Sequence, residues 1–138
     1  MQLPLDIDQV KGFLSTEEGE ALFTNALSAS SIGPILEIGS YCGKSTVYLG
    51  LACKSTGNTL YAVDHHVGSE EHQPGEMFHD PELYDASARQ MDSFRAFRRT
   101  LRLAGIEDSV VPLVAPSAHS ARHWGTPLGM VFIDGGHS

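Results

Sequence analysis

Apolar positions along this chain fall into two alternating rhythms. Ile35-Leu36-Glu37-Ile38, Thr59-Leu60-Tyr61-Ala62-Val63, Val110 to Val114 and Leu128 to Ile133 are short apolar runs bounded by turn residues, and each reads as a strand. Between them, apolar residues recur three and four apart. Leu22, Ala26 and Ala29 follow a Ser15-Thr16-Glu17-Glu18 capping box. Val47, Tyr48 and Leu51 mark a helix from Lys44 to Lys54 that ends near Gly57-Asn58. Met91, Phe94, Phe97, Leu101 and Ala104 mark another, with Asp80-Pro81 as its N-cap and first-turn proline and Gly105 as its stop. Ser117 to Trp124 reads as a short helix, and the first helix is expected to cover a sheet edge. Strands alternating with helices predict an α/β fold, a Rossmann-like parallel sheet with helices on both faces and right-handed crossovers.

In such sheets ligands bind at the carboxyl ends of the strands. Glu37, Asp64, Ser117 and Asp134 all fall at or just past predicted strand ends, so distant positions converge on one rim. The turn Gly39-Ser40-Tyr41-Cys42-Gly43 leads from the first strand into a helix start, where unpaired N–H groups carry partial positive charge and glycine admits a ligand close to the main chain. Residues 65–80 show no usable period between two firm elements, which predicts an active-site lid or a disordered segment, with His65, His66, His72 and His79 read as lid residues near the substrate. Their irregular spacing defines no metal geometry, although a second metal cluster is the other reading.

Composition narrows the function. A chain of 138 residues with 41% hydrophobic content supports one domain, 1–138, and a net charge of −8 argues against nucleic acid or anionic membrane as partner. Arg89, Arg95, Arg98, Arg99 and Arg102 cluster locally and read as a solvated helix face. No apolar run reaches the ~20 residues of a membrane span and no signal peptide is visible, so the expected location is cytoplasmic. Cys42 and Cys53 are expected as reduced thiols.

Three ligands compete for the glycine turn. A dinucleotide fold prefers Gly-x-Gly-x-x-Gly, and the middle glycine is missing here. A phosphate-binding loop needs Gly-x-x-x-x-Gly-Lys-Ser/Thr, and Gly39 to Ser45 is one residue short, with Glu37 nearby to repel a polyphosphate. A ligand with a cationic end and a ribose fits better. S-adenosylmethionine would place its ammonium near Glu37, its carboxylate on the turn and Ser45, its ribose hydroxyls on Asp64 and its adenine edge near Ser117.

The segment Glu37-Ile38-Gly39-Ser40-Tyr41-Cys42-Gly43-Lys44-Ser45, with Asp64 and Met130-Val131-Phe132-Ile133-Asp134, resembles the class I S-adenosylmethionine-dependent methyltransferases, in particular the catechol and macrocin O-methyltransferase-like groups. The likeness covers about residues 30–138. It implies that Gly39, Ser40, Tyr41, Gly43 and Ser45 hold the methionine part, that Asp64 holds the ribose, and that Asp134 is a ligand of a catalytic divalent cation such as Mg2+. It implies a catalytic role for Asp134 and for His137, which stands where the catechol-type enzymes keep a basic residue to take the proton of a substrate hydroxyl. Those enzymes carry an aromatic residue where this chain has Gly135-Gly136, so a catechol acceptor is not implied.

The expected activity is methyl transfer to a hydroxyl of a small molecule. A phosphate-loop protein and a non-catalytic ligand-binding domain remain the other readings. The sequence stops soon after the fourth predicted strand, as the front part of a longer methyltransferase fold would. Were it complete, the open strand edge would need another chain to cover it, which makes a homo-oligomer an expectation.

Overall fold

The computed structural model describes residues 1–68, 72–76 and 79–134. In chain order the elements are α1 (Thr16–Ala29), β1 (Ile35–Ile38), α2 (Lys44–Thr56), β2 (Leu60–Val63), β3 (Tyr84–Asp85), β4 (Gln90–Met91), α3 (Phe94–Ala104), β5 (Val110–Leu113), α4 (Ser117–Ala121) and β6 (Met130–Ile133). Four strands form one parallel sheet in the order β5-β2-β1-β6, and β3 and β4 make a small antiparallel hairpin apart from it. The register aligns Ile35 with Leu60 and Met130, and Leu60 with Val110, so all four strands end at one level.

That order contains a reversal. The chain steps from β1 through α2 to β2 and through α3 to β5, then returns across the sheet through α4 to lie on the far side of β1. Right-handed crossovers put α2 and α3 on one face and α4 on the other, and the reversal opens a crevice between the carboxyl ends of β1 and β6. Trp124, just after α4, meets Tyr61 of β2 edge-on on that second face. Val111, Val131 and Ile133 stand exposed beside them.

The core lies on the α2 side, where Ile35, Leu60, Ala62 and Val110 meet Val47, Leu49, Ala52 and Cys53. Almost every side of α2 is covered, by the sheet, by α1 and by α3. A helix enclosed this way is apolar around its circumference, so its sequence carries a weak stripe. Leu49 is fully buried, and Leu51 packs partly buried against the same core, as expected. The expectation that α1 covers a sheet edge is corrected: α1 lies on α2, and Gly19 lets it approach so closely that a β-carbon there would sit 2.3 Å from the Tyr48 ring. Its predicted capping box is present, with Ser15 and Glu18 each bonded to the other's main-chain N–H at 3.1 Å.

The helix expected from Asp80 onward is also corrected. Asp80 caps a single 3-10 turn, Pro81–Leu83, the hairpin follows, and α3 starts only at Phe94. Met91 belongs to the hairpin, where it packs with Val10, Cys42 and Leu83 in a second small core. Lys11 bonds to Asp80 and Glu82, fastening the N-terminal segment to the same hairpin. Both cysteines are free and buried, and burial pushes the Cys42 thiol up to about 12 and that of Cys53 to about 11, so neither is a ready nucleophile. No described helix is long and apolar enough to cross a membrane.

Candidate cofactor crevice

The glycine turn sits at the reversal. Gly39, Tyr41 and Gly43 take positive φ values of 90°, 49° and 94°, a contortion that carries the chain from β1 into α2 within five residues. The rim around the turn is hydrogen-bonded strand to strand just beyond the sheet. Gly39 N–H reaches Val63 O at 2.8 Å, Asp134 N–H reaches Ile38 O at 2.7 Å, and Asp64 N–H reaches Leu113 O at 3.2 Å. Asp64 and Asp134 therefore flank the turn on either side.

Asp64 is engaged with the turn itself. Its Oδ2 accepts the Tyr41 main-chain N–H at 2.8 Å and its Oδ1 accepts that of His66 at 2.8 Å. A carboxylate offers about four lone-pair directions, so two remain for a diol. Ser40 completes the picture from beneath. Its hydroxyl is buried beside Glu37 yet makes no hydrogen bond of normal geometry among the described residues. It is close enough to Glu37 to help hold that carboxyl's pKa down, along with Ser45 and Thr46, and it lies in the glycine turn where a polar ligand would come.

Glu37 and Ser45 are placed differently from expectation. Strand alternation points Glu37 the same way as Ile35, under the start of α2, where it is wholly buried. Ser45 Oγ donates to Glu37 Oε2 at 2.5 Å and Thr46 Oγ1 to Oε1 at 2.6 Å, so these predicted ligand contacts bind each other first. Burial raises the Glu37 pKa to about 7 against the pull of those hydroxyls, and the nearby negative charge of Asp134 adds to the rise. Thr46 escaped sequence reasoning, although a second hydroxyl in the first turn of a helix packed over a strand acid was a readable signal.

Gly43 serves packing, because a β-carbon there would come within 3.1 Å of Thr100 and 3.3 Å of Phe97 on α3. Ser117 opens α4 in an exposed position, with Pro116 rather than a serine at the N-cap. Asp134 is exposed at the end of β6. Lys44, which a phosphate loop would aim at a polyphosphate, extends toward the Gly12 carbonyl at 3.5 Å. Among the described residues no three His, Cys, Asp or Glu come together to hold a cation, so Asp134 by itself makes no coordination shell. His137 lies outside the described residues.

The histidines of the expected lid divide. His72 stacks on Tyr41 with ring centroids 5.5 Å apart and planes 15° apart, which lays its ring against the turn. His79 bonds through Nδ1 to the His72 carbonyl at 3.0 Å and meets Tyr84 edge-on. His66 is no lid residue: it is 2% exposed and packed among the aromatics of α3.

A family profile described as "Methyltransferase domain" matches residues 36–138, which takes in the turn, Asp64 and Asp134. The chain belongs to that methyltransferase family. Three solved structures share the fold of this methyltransferase domain at low identity. An O-methyltransferase from Bacillus cereus in complex with SAH is 18% identical with a TM-score of 0.62, over 93% of this chain and 49% of its own. The O-methyltransferase TomG from Streptomyces achromogenes, involved in tomaymycin synthesis and solved with SAM, is 20% identical with a TM-score of 0.59, over 88% and 45%. Cofactor-bound Rv0187 from MTB is 23% identical with a TM-score of 0.59, over 89% and 45%. The methyltransferase domain thus spans about half the length of these structures. The expected family and Rossmann-like fold are borne out.

Proposed function

We propose that this domain binds S-adenosylmethionine in the crevice between β1 and β6 and serves methyl transfer to a hydroxyl of a small molecule. The observation that carries the reading is Asp64, held at the end of β2 by the turn's own Tyr41 N–H with acceptor capacity to spare. S-adenosylmethionine, when bound, supplies a methyl group on positively charged sulfur. Asp64 would accept the ribose hydroxyls, and the turn from Gly39 to Gly43, with the Ser40 hydroxyl, would meet the amino-acid end. Asp134 puts negative charge on the opposite wall, where a ligand ammonium or the sulfonium is favoured over an anion. Tyr41, tied to Asp64, and His72 stacked on it form an aromatic border on the Asp64 side. Most of the rate would come from positioning the acceptor oxygen in line with the methyl group.

His137 as base and Asp134 as ligand of a divalent cation belong to this reading through the family resemblance, as does the small hydroxylated acceptor. A cation would raise the acidity of a hydroxyl bound to it. The test is isothermal titration with S-adenosylmethionine, S-adenosylhomocysteine and ATP, each with and without Mg2+. Micromolar binding of the first two without Mg2+ supports the proposal, and ATP binding without response to either sulfur ligand refutes it.

A further inference from the structure

His66 does work that its place in a histidine-rich segment hides. Its φ is +62°, a conformation that costs a residue with a β-carbon about 1–2 kcal/mol and persists only where the surroundings dictate it. Those surroundings are on α3. The ring packs against both Phe94 and Phe97, which stack on each other, with centroids 5.2 Å and 5.0 Å away, and Nδ1 pairs with Ser93 Oγ at 2.8 Å. The main chain closes the same junction, with Ser93 N–H donating to the His66 carbonyl at 2.9 Å. Ser93 occupies the N-cap of α3 but makes no side-chain cap bond, because its hydroxyl is turned to the imidazole. A serine at an N-cap ordinarily stabilises its own helix, so the helix forgoes that bond for this one.

From His66 the connection runs directly to the crevice. Its main-chain N–H fixes Asp64 Oδ1, while Tyr41 fixes Oδ2. Phe97 and Thr100 of the same helix close over Gly43 at the other end of the turn. We propose that His66 is a positioning residue that transmits the seating of α3 to the Asp64 carboxylate, so that the ribose site is set only while a neutral imidazole stays docked against Phe94 and Phe97. This rests on the reading of Asp64 as the ribose acceptor.

Charging the ring would undo the docking. The titratable groups around it are Asp64 and His65 on its own segment and Asp92 ahead of α3, and the helix itself presents Phe94 and Phe97. Burial outweighs the two carboxylates and holds the His66 pKa below its ordinary value, so the neutral form prevails near pH 7 and the charged form intrudes only on acidification.

The test compares His66→Leu, Ser93→Ala and His66→Asn. Asparagine tolerates positive φ and keeps a polar atom near the Nδ1 position. The leucine and alanine variants are expected to weaken S-adenosylhomocysteine binding about tenfold, the loss of one well-placed bond, while the asparagine variant recovers most of it. Affinity of the wild type should fall on acidification through the lowered His66 pKa, and that of His66→Asn should not. Hydrogen exchange of the Tyr41 amide gives a ligand-free readout, and it should quicken in the leucine and alanine variants. If the wild type binds no sulfur ligand, the functional reading fails and the Tyr41 amide alone decides the role of His66. Unchanged affinity, or a protected Tyr41 amide, in a folded Ser93→Ala protein overturns the proposal.

Discussion

Tyr41 and Asp64, one in the turn after β1 and the other at the end of β2, are joined by a main-chain N–H to carboxylate bond of 2.8 Å. The bond fixes the carboxylate relative to the glycine turn before any ligand arrives, so the ordering is not a cost of binding.

Asp64→Ala leaves the Tyr41 and His66 N–H groups without their acceptor. Folding stability should drop by roughly 2 kcal/mol, and S-adenosylhomocysteine affinity by tenfold or more. Urea denaturation and calorimetric titration measure the two losses, and an unchanged affinity would remove Asp64 from the site.

Ser40→Ala should separate stability from binding. Ser40 Oγ lies beside Glu37 without a hydrogen bond of normal geometry, so its removal should cost the ligand-free protein less than about 1 kcal/mol. Affinity for the sulfur ligands should nevertheless fall several-fold. A stability loss above 1 kcal/mol would mean that the hydroxyl already has a partner.

Glu37→Gln tests the buried acid. With its folded pKa raised from 4.5 to about 7, Glu37 keeps a proton that the unfolded chain releases, so its stabilising contribution is full below pH 4.5 and is lost as pH rises through 7. The loss amounts to roughly 3 kcal/mol across that window. Denaturation at pH 5, 6, 7 and 8 should show a flatter stability profile for the glutamine variant, and the opposite slope from neutral His66 cancels in the comparison. Parallel profiles would contradict the assignment.

Gly43→Ala carries two penalties, a positive φ of 94° and a β-carbon 3.1 Å from the Thr100 methyl. A loss of about 2 kcal/mol is expected. Adding Thr100→Ala should recover the methyl's share of the steric part and leave the Phe97 contact and the backbone part, and full recovery would show that φ costs nothing there.

The strand ends were legible because turn residues punctuate them, and with them came the shared rim of Gly39, Asp64 and Asp134. The hairpin was not, because two-residue strands have no period and the Met91-to-Phe94 spacing imitates a helical step. Glu37 was legible in position but not in partner. Alternation with Ile35 turns it inward, and this outweighs its charge once Ser45 and Thr46 supply hydroxyls. His66 left no trace in any local pattern, since its partners Phe94 and Phe97 are joined to it only by the folded path of the chain.

The pairing of Ile35 with Met130 brings the first and last strands of the described chain side by side, with the crevice on that seam. From its sequence separation such a contact is expected to close late in folding, after the local helices and the β1-β2 step. Whatever occupies the seam then acts as a staple across the last-formed junction, so ligand should retard the unfolding rate far more than it hastens refolding.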